Sequence, residues 1–90
     1  WQMVLWQPRW AKAESDGFCY QKVTGDNTPC GKVKKLRFTD VLEIEELEFG
    51  EFVLHCARRD YTFKAPTGTM CRTLVQNLRQ LRENDALARR

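Results

Sequence analysis

Residues 52–81 read FVLHCARRDYTFKAPTGTMCRTLVQNLRQL, and the period of the apolar residues changes within this stretch. Up to Ala65 an apolar residue recurs at every second position, which is the period of half-buried strands. After Gly68 apolar residues recur at every third or fourth position, which is the period of an amphipathic helix. We therefore expect two strands joined by a short turn at residues 58–60, followed by a helix over residues 69–83.

The same alternation predicts further strands earlier in the chain. The run at residues 18–23 alternates, and Leu42 and Ile44 share one apolar face while glutamates occupy the other. Turn-forming sequences at residues 16–17 and 24–29 separate these runs. The predicted fold class is therefore mainly β with one C-terminal α-helix. A sheet of this size curls, and we expect the helix to close its open end.

The predicted helix has candidate signals at both of its ends. Thr67 or Thr69 can supply the oxygen that accepts a hydrogen bond from the first free amides. Arg79 and Arg82 lie near the far end, where positive charge suits the negative pole of a helix.

Ninety residues are enough for one domain. We assign residues 1–83 to this domain, and residues 84–90 to a polar tail or an extension of the helix. Because the chain starts at Trp1 rather than at Met, we expect a module of a longer protein. No apolar run approaches the roughly 18 residues of a membrane span, and no signal peptide opens the chain. We therefore predict a cytoplasmic module without a transmembrane segment.

The cysteines do not have the spacing of a zinc site. No two of them lie within four residues of each other, so we predict reduced thiols and no metal or other cofactor. His55 directly precedes Cys56 in a predicted strand, which places the two side chains on opposite faces. With this single histidine we find no catalytic residues and expect no enzymatic activity. The four cysteines are Cys19, Cys30, Cys56 and Cys71.

The charges are unevenly distributed although the net charge is only +3. Residues 32–37 contain four cations, and residues 43–51 contain five glutamates. A protein with this polarity can orient itself at an anionic surface or meet a partner of mixed charge. The alternative is that each run is simply a solvated face.

A family resemblance is carried by residues 6–10, 16–22, 31–45, 52–57, 61–65 and 71–81. Taken in order, these segments resemble the strands and helix of pleckstrin-homology (PH) domains. The resemblance implies an antiparallel barrel of seven strands, or six if the first is missing, capped by the helix. The sequence departs from the family at Leu74, which stands where the helix of PH domains usually carries a tryptophan. The matching segments are residues 6–10 (second strand), 16–22 (third), 31–45 (fourth and fifth), 52–57 (sixth), 61–65 (seventh) and 71–81 (helix).

PH domains bind phosphoinositide headgroups in a mouth formed by the loops after strands one, three and six. Their motif is a lysine on strand one followed by two basic residues on strand two. Arg9 matches one of these positions, Gln7 replaces the other, and no strand-one lysine is visible. The resemblance therefore implies weak recruitment to anionic, phosphoinositide-containing membrane through a diffuse basic rim. The predicted rim consists of Arg9, Lys12, Lys22, Lys32, Lys34 and Lys35.

Two other binding functions are compatible with the sequence. The chain can be a protein–protein or intramolecular docking module, an adaptor in signalling with no specific lipid ligand. The tryptophans beside Arg9 can alternatively stack nucleic-acid bases, although tryptophans at such spacing more often pack within strands, and we predict no nucleic-acid partner. The residues predicted to bind a protein partner are Glu43, Glu45 and Glu48.

Overall fold

The computed structural model describes residues 2–5, 9–24, 26 and 28–89, and describes only the backbone of residues 2–5. The chain is mainly β with one long C-terminal helix, which confirms the predicted class. The strands form two antiparallel sheets, and the helix packs against both.

The first sheet contains four strands that follow one another in chain order. They are β1 (Gln2–Leu5), β2 (Arg9–Glu14), β3 (Gly17–Lys22) and β4 (Lys34–Arg37). The turn between β2 and β3 lies at residues 15–16, close to its predicted place. A Cβ atom at Gly17 would lie 2.6 Å from the carbonyl oxygen of Leu36, so this close approach of β3 and β4 requires glycine.

A short 3-10 turn at Phe38–Asp40 leads into the second sheet. This sheet contains β5 (Val41–Glu46), β6 (Glu51–Cys56) and β7 (Asp60–Lys64), paired in that order. The β5–β6 register shifts between Val41 and Glu43. Because of this irregularity Val41 and Ile44 are buried while Leu42 is exposed, so the prediction that Leu42 shares the apolar face of Ile44 is wrong.

The two sheets remain separate within the part of the chain that the structure describes. No strand of the first sheet is hydrogen-bonded to a strand of the second among these residues. Closure into the predicted barrel is therefore not confirmed among the described strands. Barrel closure and membership of the PH family stay predictions, while the coarser class is established.

The helix α1 runs over Gly68–Ala88 and is longer than the sequence predicts. Of the two candidate caps, Thr67 is the one used, because its Oγ1 accepts a hydrogen bond of 3.1 Å from the amide of Met70. The last turns carry side-chain pairs four residues apart, between Gln80 and Asn84 and between Asp85 and Arg89. Residues 84–88 thus continue the helix.

The core lies between the sheets and the helix. Phe18 of β3 and Phe52 of β6 have no exposed surface, and their rings meet edge to face with centroids 6.1 Å apart. Phe63 of β7 stacks on Phe52 at 5.4 Å. Burial of an aromatic or leucine side chain contributes roughly 1.5–3 kcal/mol, so these rings and the apolar stripe of the helix dominate stability. That stripe consists of Cys71, Leu74, Val75 and Leu78.

Arg79 and Arg82 join the helix to the edge of β5 that does not face β6. The guanidinium of Arg79 donates two hydrogen bonds, of 3.1 and 2.7 Å, to the carbonyl of Ile44. Arg82 donates to the carbonyls of Val41 and Leu42 at 3.1 and 2.8 Å. The prediction that both arginines complement the helix pole is wrong, because the helix continues beyond them and its last turn contains no basic residue.

Candidate functional site

A cleft of about 340 Å³ lies between the first sheet and β7 of the second. We call it the basic cleft, because six of its lining residues are cations and only two, Glu51 and Asp60, are carboxylates. Tyr20, Tyr61 and Phe63 supply aromatic surface. The cations are Arg9, Lys22, Lys32, Lys34, Arg59 and Lys64.

Antiparallel pairing brings these residues together from distant parts of the chain. Arg9 at the start of β2 stands opposite Lys22 at the end of β3, and Tyr20 stands opposite Lys34 of β4. The turn after β6 contributes Arg59, which comes just before β7. The cleft is thus lined by the start of β2, the end of β3 and the start of β4 on one side. On the other side it is lined by the whole length of β7 and by Glu51 at the start of β6.

An aromatic cluster forms one wall of the basic cleft. The guanidinium carbon of Arg59 lies 4.5 Å from the centroid of the Tyr61 ring, a cation–π contact that holds the charge in place. Tyr20 packs edge to face on Phe63 with centroids 5.4 Å apart. Burial raises the pKa of Tyr20, and the nearby Arg59 and Arg9 partly oppose this effect. Arg59 and Arg9 therefore lie close enough to this aromatic wall to influence the ionisation of Tyr20.

The structure brings together four of the six cations that the sequence predicts for a basic rim, and it separates the other two. Lys12 lies on the outer face of the first sheet, beside a second cavity. Lys35 lies beside Asp16 at the β2–β3 turn, with 2.5 Å between its Nζ and Asp16 Oδ1. This contact lowers the pKa of Asp16 and raises that of Lys35. The four that line the cleft are Arg9, Lys22, Lys32 and Lys34.

Sequence reasoning missed Arg59 and Lys64. Residues 58–60 were recognised only as a turn, although the loop after strand six belongs to the mouth that the PH resemblance implies. That resemblance was the one available signal for Arg59. No sequence signal was available for Lys64, because its position in the cleft depends on how β7 faces the first sheet.

The glutamates predicted to bind a partner are all exposed, and one of them, Glu45, is engaged in an ion pair. The carboxylate of Glu45 lies 2.8 Å from Nε2 of His55, whose Nδ1 lies 3.0 Å from Asp60. Glu45 first, and Asp60 second, raise the pKa of His55. Glu45 is thus part of an ion-pair network across the second sheet, whereas Glu43 and Glu48 lie at its surface.

The second cavity, of about 400 Å³, lies on the outer face of the first sheet, between Trp10, Cys19 and Val33. The thiol of Cys19 donates to Oε1 of Glu14 at 2.6 Å. Burial, and then this carboxylate, raise the pKa of Cys19 to about 11. The thiol is therefore protonated at neutral pH and is a poor nucleophile.

The remaining chemistry of the described residues is limited. All four cysteines are free thiols, two of them buried and two half-buried. Within the described ranges, no three His, Cys, Asp or Glu side chains are placed to hold a metal ion. Nor does this part of the chain contain a helix of the length and hydropathy needed to span a bilayer.

Comparison of the chain with known protein families, with curated proteins and with solved structures finds no match. The site therefore has to be interpreted from its own geometry. Its distinguishing property is a concave surface on which cations outnumber carboxylates by four.

Proposed function

We propose that this protein is a non-catalytic binding module with a PH-like fold. Its basic cleft gives weak recruitment to anionic, phosphoinositide-containing membrane at the cytoplasmic face. The observation that carries this proposal is the convergence of six cations on one cleft from four separate parts of the chain. Such a surface attracts phosphate groups through charge-assisted hydrogen bonds and through its summed field.

The proposed PH-like fold is supported by the order and grouping of the elements. Strands β1–β4 form one antiparallel sheet, β5–β7 form a second, and a C-terminal helix packs on both. The cleft is also lined by Arg9, Lys22 and Arg59, which adjoin in sequence the connections after β1, β3 and β6. These connections form the ligand mouth in the family that the sequence resembles. Neither observation depends on the charge pattern that suggested a membrane ligand.

The composition of the cleft favours weak binding. Each cation near an anionic membrane contributes on the order of 1 kcal/mol, and Glu51 and Asp60 offset part of this attraction. Exposed lysines are also screened by salt over a Debye length of roughly 8–10 Å at physiological ionic strength. We therefore expect salt-sensitive attachment rather than a tight, stoichiometric complex.

Vesicle sedimentation tests the proposal with two variants of equal charge change. Lys34→Glu alters the cleft, and Lys12→Glu alters the outer face of the first sheet. With phosphatidylcholine vesicles that contain phosphoinositide, we expect Lys34→Glu to weaken binding about tenfold, and Lys12→Glu to weaken it less than threefold. Higher salt is expected to reduce binding of the wild-type protein.

Vesicles in which phosphatidylserine replaces phosphoinositide at equal charge separate headgroup recognition from general attraction. Equal loss of binding in the two variants would show that net charge, and not the cleft, is responsible. Wild-type protein that stays in the supernatant at low salt would contradict the membrane proposal altogether.

Protein docking remains the second candidate function, and one observation favours it. Leu42 and Phe49 are exposed on or next to β5, close in sequence to the exposed Glu43 and Glu48. Large apolar side chains that are held in solvent among charges are typical of interaction surfaces.

A further inference from the structure

The turn between β5 and β6 has an unusual residue at its centre. The amide of Glu51 donates to the carbonyl of Glu48 at 3.2 Å, which closes a four-residue turn. Its two central residues, Phe49 and Gly50, have φ angles of 59° and 77°. Positive φ at both central positions is the pattern of a type I′ turn, which favours Asn-Gly and disfavours bulky residues.

Phe49 is unfavourable in this turn for two reasons. A left-handed backbone costs a non-glycine residue roughly 1–2 kcal/mol. The ring also gains nothing from burial, since the residue is 84% exposed. Strained positions of this kind cluster at functional sites, where the strain holds a side chain in a useful place. Phe49 is the largest exposed apolar side chain among the described residues.

The surroundings of Phe49 define what can cover it. Leu47 is 37% exposed, and Glu48 between them is exposed as well. The turn therefore presents an aromatic ring with apolar and acidic neighbours. A complementary surface needs a concave pocket with aromatic walls and a positively charged rim.

The basic cleft of this same protein has those properties. Its walls include Tyr20, Tyr61 and Phe63, and cations outnumber carboxylates around it by four. Its volume of about 340 Å³ exceeds the roughly 150 Å³ that suffices to bind a benzene ring. We infer that the occupant is a second copy of this chain, and that the protein forms a dimer in which the Phe49 turn of each copy docks in the basic cleft of the other.

A two-fold arrangement follows from the position of Glu51. This residue closes the turn and also lines the cleft, so the two surfaces are contiguous on one molecule. Contiguous, complementary surfaces can be buried reciprocally about a two-fold axis, which gives a closed dimer instead of an open chain. The inference uses the cleft but does not rest on the proposed lipid ligand, since the dimer is measured without any lipid.

Sedimentation equilibrium of the wild-type protein and two matched variants tests the dimer. Phe49→Asn removes the ring and supplies the residue that a type I′ turn prefers, so its melting temperature should be equal to or higher than that of the wild type. Leu87→Asn removes another exposed apolar side chain, 53% exposed, at the far end of the helix. From about 10 µM to 1 mM we expect the wild type to dimerise, Phe49→Asn to weaken the dimer at least tenfold, and Leu87→Asn to change it less than twofold.

Three results of that experiment would overturn the inference. These are a wild-type protein that is monomeric over the whole range, equal dimerisation of the wild type and Phe49→Asn, and assembly that grows beyond two chains. A measured melting temperature of dilute Phe49→Asn at or above that of the wild type excludes unfolding as the cause of a lost dimer. Failure of vesicle binding leaves these outcomes unaffected.

Amide NMR spectra recorded on dilution locate the contact. We expect dilution to shift two groups of amides together, those of residues 47–51 in the turn and those of residues 60–64 in the cleft wall. Shifts confined to the exposed face of the helix would place the contact elsewhere and overturn the inference. Glu48→Lys places a positive charge beside Phe49, and we expect it to weaken the dimer several-fold; an unchanged dimer would contradict the charge complementarity.

Discussion

At the scale of single residues, His55 links all three strands of the second sheet through ion pairs. It lies on β6, and its two ring nitrogens contact Glu45 of β5 and Asp60 of β7. These contacts favour the protonated ring, because an imidazolium can donate to both carboxylates at once. The pKa of His55 is therefore raised above its ordinary value of 6.5.

This network predicts a pH-dependent contribution to stability. Since the folded-state pKa is higher than the unfolded-state pKa, the contribution of His55 is fully present below about pH 6.5 and is lost as the pH rises through the folded-state pKa. We expect the difference in free energy of unfolding between the wild type and His55→Asn to be larger near pH 6 than near pH 8. Urea denaturation at the two pH values measures it.

Glu45→Gln provides the control for this prediction. Glu45 is the first cause of the shift, so its removal should bring the pKa of His55, followed by NMR titration, back toward 6.5. A wild-type pKa at or below 6.5, or a stability difference that grows with pH, would contradict the assignment.

At the scale of elements, α1 and β5 are linked by side-chain hydrogen bonds between residues far apart in sequence. Arg79 and Arg82 satisfy three carbonyl groups on the edge of β5. A carbonyl that loses its donor in a partly buried position costs roughly 1–3 kcal/mol. The helix thus contributes to the second sheet by hydrogen bonding as well as by packing.

Arg79→Leu is expected to lower the free energy of unfolding by about 1–3 kcal/mol, because the Ile44 carbonyl loses both of its donors. Arg72→Leu is the matched control on the same helix. Arg72 is largely exposed and lies 3.7 Å from Glu46, so we expect a change of less than about 0.5 kcal/mol. Equal effects of the two variants in urea denaturation would show that the β5 contact adds nothing.

Local sequence pattern predicted the elements well and their contacts poorly. The alternation of Phe52 and Leu54 and the helical stripe around Leu74 identify buried faces from a few neighbouring residues. Leu42 was misplaced because the irregularity that turns it outward depends on how β5 pairs with β6. Arg79 contacts Ile44, which lies 35 residues earlier in the chain. No local sequence pattern predicts a contact over that separation.

In the candidate site too, the sequence predicted individual residues but not their arrangement. The basic run predicted Lys32 and Lys34, and the PH resemblance added Arg9 and Lys22 to the expected rim. Their separation from Lys12 depends on the face of the sheet to which each side chain belongs. The folded sheets therefore decide which cations line the cleft, and the charge pattern of the sequence does not.

At the scale of the whole molecule, the helix contacts the core along only part of its length. Leu81 is the last apolar residue of the helix that packs against the core, and Arg82 makes the last contact with β5. The turns that follow are mostly exposed. Stability should therefore change abruptly with the point at which the chain is shortened.

Two truncations test this boundary. Removal of residues 84–90 is expected to cost less than about 1 kcal/mol, because it leaves the core and both arginine contacts intact. Removal of residues 79–90 deletes Leu81 and both arginines, and we expect it to cost at least about 3 kcal/mol or to prevent folding. Thermal melting followed by circular dichroism distinguishes the two results. Similar losses in both proteins would mean that the last turns are part of the folded unit.

The arginine contacts on β5 also have a consequence for the order of synthesis. The carbonyl of Ile44 is made 35 residues before Arg79, and that of Val41 is made 41 residues before Arg82. At roughly 5–20 residues per second, translation leaves this strand edge without its partners for about 2–8 seconds. A bare edge can pair with the same strand of a neighbouring nascent chain. Synthesis of Arg79 and Arg82 therefore ends the interval in which the edge of β5 is available for such pairing.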